Sequence, residues 1–247
     1  MAARPADVRV ISYDTIGSTN ADALERARQG ERGPLWITAR RQTAGRGRRG
    51  RPWVSEPGNL FATLLLTDPG RPERAAELSF VAALAVHDAV ATHLAAQPQR
   101  LTLKWPNDGL IDGAKFAGIL IEGEGGAVAI GIGINCTHHP QDTAYPATDL
   151  AATGVQVSSD AVFAALMPAM TGRIAQWNRG AGFAVILSEW LRRAAGLGRP
   201  LRIAGPDGER QGLFETIDDR GRLVLRRDDG STETVTAGDV LPALARV

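Results

Sequence analysis

Residues 101–136 read LTLKWPNDGL IDGAKFAGIL IEGEGGAVAI GIGINC, and their turns decide the fold. LTLKW (101–105) has the pattern of a strand and ends at Pro106-Asn107-Asp108. A turn at Asp112-Gly113 leads into a strand that carries Lys115. A second turn at Gly125-Gly126 leads into AVAIGIGINC (127–136). Strands joined by such short turns must run antiparallel. The expected class is therefore α+β: a mixed, largely antiparallel sheet with packed helices, not a parallel doubly wound sheet. Gly131 and Gly133 thin one face of the last strand, a pattern that marks close approach of a ligand or of another backbone.

Upstream, residues 8–16 and 35–41 read as strands, and LFATLLL (60–66) as a continuously apolar, buried strand. Between the first two, Ser18-Thr19-Asn20 precede a helical stretch that stops at Gly30. Short polar residues there are good helix caps, and they also present hydroxyls and backbone N–H groups to a polar ligand. A helix is expected over about 73–95. His87 and His93 lie in it without a metal-ligand partner pattern.

Residues 42–60 read QTAGRGRRGRPWVSEPGNL. Arg46, Arg48, Arg49 and Arg51 alternate with Gly45, Gly47 and Gly50. Arginine grips carboxylate and phosphate oxygens with a rigid fork of donors, and glycine lets the backbone come close. The glycines also fit G-x-G-x-x-G. A dinucleotide site would need a helix to open there, and Pro52, Trp53, Pro57 and Gly58 exclude one. A solvated basic loop or a nucleic-acid patch is the plain alternative.

Downstream, Ser158 or Ser159 caps a helix with Val162, Leu166, Met170, Ile174 and Trp177 on one face, with Pro168 as a kink position. Another helix is expected over 183–195. From about residue 199 the character changes to short strands with turns at Pro206-Asp207-Gly208, Asp219-Arg220-Gly221 and Asp229-Gly230. The division is thus 1–198 and 199–247. The second part is a small β-barrel of about five strands that leans on the first for stability.

The 247 residues suffice for one large domain plus an appendage, and 44% are hydrophobic. The net charge of +1 argues against a dedicated nucleic-acid binder, which carries a basic excess. The single cysteine, Cys136, excludes an internal disulfide and fits a reducing compartment. No apolar run reaches the ~18 residues of a membrane span, and no signal core is present. A cytoplasmic protein with no membrane and no nucleic-acid partner is expected.

Taken in order, Ser18-Thr19-Asn20, the arginine loop with W-x-S and PGNL, KWPND with Lys115 in K-x-x-G-I-L, and GIGIN (131–135) resemble the biotin–protein ligases over essentially the whole chain. The resemblance implies a catalytic domain shared with lipoate ligases and an SH3-like C-terminal barrel. It implies that biotin and ATP, with Mg²⁺, give biotinyl-5′-AMP and pyrophosphate. Biotin then passes to a lysine of the biotin carboxyl carrier domain of an acyl-CoA carboxylase. By match to the family's motifs, Ser18, Thr19, Asn20, Gln42, Gly45, Arg46 and Gly47 would hold biotin. Arg48 and Lys115 would sit where its carboxylate meets the α-phosphate. Arg51, Trp53, Asn107, Asp108 and Asn135 would contact the nucleotide. Lys115, Arg48 and Asp108 are the catalytic candidates, Asp108 as the group that orients or deprotonates the acceptor lysine. No metal ligand is assigned to a protein side chain. Lys104 is left undecided between solvated lysine and ligand, Glu122 has no role, and 138–154 carries no matching signature.

The first strand begins within ten residues of Met1, so a ligase without a DNA-binding repressor domain is expected. A homodimer through an exposed sheet edge is allowed but not required. Four arginines so close together repel one another, so residues 45–51 are expected to be mobile when empty and ordered by ligand. A lipoate or octanoate ligase is the competing activity.

Overall fold

The computed structural model describes residues 9–242 except 95, 96, 142, 144, 206 and 207. Seven strands form one sheet: β1 (Arg9–Ile16), β2 (Leu35–Gln42), β3 (Leu60–Thr67), β4 (Leu101–Lys104), β5 (Asp108–Ile111), β6 (Ala114–Glu124) and β7 (Ala127–Ile134). Their order is β1-β2-β3-β7-β6-β5-β4. Only β1 and β2 pair in parallel; every other neighbouring pair is antiparallel. The expected α+β class is what the chain adopts. Both anticipated turns close hairpins with left-handed backbone, at Asp112-Gly113 (φ 50° and 80°) and Gly125-Gly126 (φ 58° and 82°). That is the geometry two-residue hairpin loops demand.

Helices cover the sheet unequally. On one face lie α2 (Leu78–Ala91), α3 (Ser159–Trp177) and α4 (Phe183–Leu191), and the main core fills the space between. On the other face α1 (Thr19–Arg28) covers only the β2, β3 and β7 end, over Leu35, Ile37, Leu65 and Ala129. This is why β3 is apolar along its length: it is buried on both sides. The β5–β6–β7 end of that second face is left open for a site.

The helix limits differ from the sequence expectation for local reasons. The stretch expected as one helix over 73–95 opens as a 3₁₀ turn at Pro72–Glu77, a usual feature of helix N-termini. Beyond Ala91 it tightens: His93 N donates to Val90 O and Leu94 N to Ala91 O, which satisfies the last carbonyls. The helix begun at Phe183 stops at Leu191, not Ala195. There the backbone is drawn onto β4, where Leu103 N donates to Arg193 O and Ala195 N to Leu103 O. Ser158 caps α3 through its Oγ, and Pro168 is accommodated inside that helix. Cys136 is fully buried, and burial pushes its thiol up to about 11, so it packs as a small apolar residue.

The C-terminal strands β8 (Pro200–Gly205), β9 (Gly208–Ile217), β10 (Leu223–Arg226), β11 (Thr232–Val235) and β12 (Asp239–Pro242) form a second, antiparallel sheet in the order β11-β10-β9-β8-β12. The turn expected at Pro206-Asp207 lies outside the described residues. Phe214, Ile217, Leu223 and Leu225 join the same continuous core as Phe80 and Trp190. Trp105 stitches the two parts together: 1% exposed, it donates its indole N–H to Gly221 O at 3.0 Å.

Trp105→Phe keeps most of that packing and leaves the Gly221 carbonyl without its partner. It is expected to lower stability by about 1–2 kcal/mol, read as a lower urea midpoint.

Candidate active site

The open end of the sheet carries a cavity of about 420 Å³. Its polar end is built at the start of α1. Ser18 caps the helix by accepting from Ala21 N at 3.4 Å. Thr19 donates through its backbone N and its hydroxyl to Gln42 Oε1, at 2.9 and 3.1 Å. The fully buried Thr63 hydroxyl lies 2.8 Å from Thr19 Oγ1 and 2.7 Å from Asn20 Oδ1. Asn20 then donates to Glu122 Oε2 at 2.8 Å, and Glu122 Oε1 accepts from Arg46 Nη2 at 3.0 Å. One chain of hydrogen bonds thus runs from Gln42 to the arginine loop and fixes the rotamers facing the cavity.

The arginine loop folds back on itself as a small hairpin, with Trp53 N donating to Gly45 O and Gly47 N to Arg51 O. This aims Trp53 across the sheet. Its indole fills the space that side chains at Gly118 and Gly133 would need: a Cβ on Gly133 would sit 2.6 Å from the ring, one on Gly118 2.9 Å. Gly131 makes the same room for Asn20, at 2.3 Å. The thinned strand face anticipated from the sequence thus accepts the protein's own side chains, which become the cavity wall.

Opposite stands a charged triplet. Asp108 opens β5, 8% exposed at its side chain, with Lys115 Nζ of β6 at 2.6 Å and Lys104 Nζ of β4 at 3.0 Å. Burial opposes the charge of this carboxylate, but the two ammonium groups outweigh it and hold Asp108 below the usual carboxylate range. The pairing therefore adds stability at neutral pH that is lost as acid protonates the group. The Tyr145 ring lies 4.7 Å from Lys104 Nζ and 5.3 Å from Lys115 Nζ, and the Trp53 ring 5.3 Å from the latter.

The C-terminal sheet closes the remaining side. Asp239, at the start of β12, takes Arg51 at 2.9 Å, Arg49 at 3.4 Å and Arg48 at 3.9 Å. Arg48 also donates to Asn107 Oδ1 and Gly238 O, each at 3.3 Å. Burial pulls Arg48 below its ordinary value, and Asp239 and Asp108 oppose the shift. Among the described residues, five cationic side chains (Arg46, Arg48, Arg51, Lys104, Lys115) face the cavity against two carboxylates, Asp108 and Asp239. Such a balance in a concave, partly desolvated site draws anions.

Of the sequence candidates, Ser18, Thr19, Asn20, Gln42, Arg46, Gly47, Arg48, Arg51, Trp53, Asn107, Asp108 and Lys115 line this cavity. Gly45 and Asn135 do not. Gly45 packs under the loop, where a Cβ would meet Ser55 Oγ at 2.5 Å. The Asn135 amide is buried and donates to Thr148 O, pinning the segment whose Pro146 and Thr148 pair with Lys115. Asn135 thereby holds the segment that brings Thr143 and Tyr145 to the cavity. No sequence signature marks 138–154 for this contribution, or Glu122 for its bonds to Asn20 and Arg46. No sequence signal pointed to Asp239, nearly 190 residues from the arginines it meets.

A family model described as Biotin/lipoate A/B protein ligase family matches residues 14–138, and one described as Biotin protein ligase C terminal domain matches residues 196–241. The chain belongs to the biotin/lipoate protein ligase family. A biotin–[acetyl-CoA-carboxylase] ligase of Paracoccus denitrificans is 44% identical over 235 residues, covering 90% of this chain and 96% of that protein. The corresponding ligase of Mycobacterium tuberculosis is 38% identical, over 91% and 85%. Among solved structures, the biotin protein ligase of Aquifex aeolicus in complex with biotin and ATP superposes with a TM-score of 0.80 at 24% identity, over 94% of this chain and 97% of that one. The Leishmania major ligase in complex with biotinyl-5-AMP gives 0.66 at 25%, over 93% and 99%. The family's two-part architecture, a mixed sheet followed by an antiparallel barrel-like sheet, is the one seen here.

Two measurements check this geometry. Gly133→Ala is expected to cost about 1–3 kcal/mol through its collision with Trp53. In a Trp53→Ala background most of that cost is expected to vanish, read by a double-mutant cycle in urea. Asp239→Asn removes the carboxylate that gathers Arg48, Arg49 and Arg51, and is expected to raise trypsin cleavage after Arg48 and Arg49 several-fold.

Proposed function

We propose that the chain is an ATP-dependent biotin–protein ligase, and that the cavity between the arginine loop and the Asp108 triplet performs both of its half-reactions. The enzyme activates biotin as biotinyl-5′-AMP with release of pyrophosphate. It then transfers biotin to a lysine of the carrier domain of acetyl-CoA carboxylase. The observation that carries the assignment of roles is the convergence of Arg48 and Lys115 on one cavity whose far wall is the polar start of α1.

Attack of a carboxylate on an α-phosphate brings two anions together, so the site has to supply fixed cations and positioning. On this reading Ser18, Thr19 and Gln42 bind the polar ring end of biotin, their donors and acceptors already oriented by Thr63 and Ser55. Arg46, tied to Glu122, closes the loop over it. Arg48 and Lys115 meet the biotin carboxylate and the α-phosphate, and neutralise the charge that develops between them. Arg51 and Trp53 flank the nucleotide, with Asn107 holding Arg48. To bind phosphate, Arg48 and Arg51 exchange Asp239 for the ligand. The Asp239 carboxylate offsets part of the self-repulsion among the loop arginines. Among the described residues no group of three or more histidine, cysteine or acidic side chains gathers to hold a metal. Magnesium would enter with the nucleotide phosphates.

The finer partners belong to the same proposal. A homodimer would add at β1, whose outer edge pairs with no other described strand. No helix among the described residues is long and apolar enough to cross a membrane.

Biotin-dependent ATP–pyrophosphate exchange tests the reading, with lipoate and octanoate as controls. Exchange with biotin alone is expected. Arg48→Ala and Lys115→Ala are each expected to lower it by about 100-fold or more, with the fold retained by circular dichroism. Full activity in both would overturn the assignment of roles.

A further inference from the structure

Lys104 lines the cavity, yet the roles above leave it unused. Its ammonium is directed at Asp108, 3.0 Å from Oδ2, while Lys115 takes Oδ1 at 2.6 Å. The two lysines are not equivalent. Lys115 also lies 5.3 Å from the Trp53 ring on the loop side, in reach of an adenylate. Lys104 sits on β4 directly opposite Asp108 in the β4–β5 register and is only 17% exposed.

Once Lys115 engages the anhydride, its hold on Asp108 weakens. A carboxylate this buried and left with no cation would take up a proton. The other charged or titratable groups around it do not replace Lys115. Arg48, from the arginine loop, is committed to Asn107 and, with the adenylate bound, to the phosphate in place of Asp239. Tyr145, from the segment pinned by Asn135, presents its ring face to the lysines, and Asp239 beyond Arg48 is itself an anion. Among the described residues, Lys104 alone remains in direct contact.

We propose that Lys104 is a positioning residue for biotin transfer: it keeps Asp108 ionised and in place while Lys115 serves the adenylate, so that Asp108 accepts a proton from the incoming lysine ammonium. The inference rests on the ligase reading above. In that step the ammonium gives one proton to the Asp108 carboxylate. The free amine then forms the C–N bond as the C–O bond of the anhydride breaks. AMP leaves with the electron pair, and the second N–H proton passes to solvent.

The test is single-turnover transfer from the preformed enzyme–biotinyl-AMP complex to a purified biotin carboxyl carrier domain, measured from pH 5.5 to 9. The ratio of the Lys104→Met rate to the wild-type rate cancels the titration of the acceptor lysine. That ratio is expected to fall about tenfold per pH unit below a new apparent pKa above about 5.5. Lys104→Arg should restore a flat ratio, and adenylation by Lys104→Met should show no such trend against wild type. If Lys104→Met does not fold, Lys104→Gln carries the same measurement. A flat transfer ratio for the uncharged variant overturns the proposal. So does an equal pH trend in adenylation with a raised KM for ATP, which would make Lys104 a phosphate ligand. Failure of the wild-type chain to form biotinyl-AMP would instead sink the ligase reading itself.

Discussion

A single carboxylate buried between two lysines sets the terms for the rest of the site. Asp108 is nearly inaccessible to water, and only opposite charge at hydrogen-bond distance keeps it ionised there. To meet that requirement three strands must arrive in fixed register, because Lys104, Asp108 and Lys115 come from β4, β5 and β6. The tight turns around Asn107 and Asp112-Gly113 deliver that register, and the core behind them, with Trp105 and Phe116, keeps the strands from sliding. The site thus stands on regular structure, where position is held better than on a free loop.

The loop that faces this triplet has its charge met at two points, by Glu122 beside Arg46 and by Asp239 beside Arg51. Trp53 anchors it from below, through a stretch of sheet stripped of side chains at Gly118 and Gly133. On the proposed reading, ligand binding would be an exchange of anions, from protein carboxylate to phosphate.

Much of this was legible in the sequence because it depended on local chemistry. The turn at Gly125-Gly126 gave the antiparallel pairing of β6 and β7, whereas β5 (Asp108–Ile111), only four residues between two turns, was not anticipated. The alternation of glycine with arginine marked a cationic loop, which lines the cavity, and the polar run at 18–20 marked both a cap and a polar wall. Contacts formed between distant segments left no such trace. Asp239 sits in a short strand where an acidic residue is unremarkable in composition. Tyr145 follows a run of polar residues, and only its neighbour-pinning through Asn135 brings it to the lysines. Asn135 itself was read from its motif as a contact to adenine. Its amide is instead used to hold protein backbone. The helix ends were misjudged where backbone pairing with β4, invisible to helical periodicity, drew residues 193–195 out of α4.

The place of Asp239 in the chain has a consequence for how the protein is made. Synthesis runs from the amino end, so the arginine hairpin leaves the ribosome long before the strand that neutralises it. Until β12 is docked, a nascent chain carries an uncompensated cluster of guanidinium groups next to RNA, the most abundant polyanion in its surroundings. Strand β12, translated nearly 190 residues after the hairpin, is therefore also the one that retires this cluster from non-specific attachment.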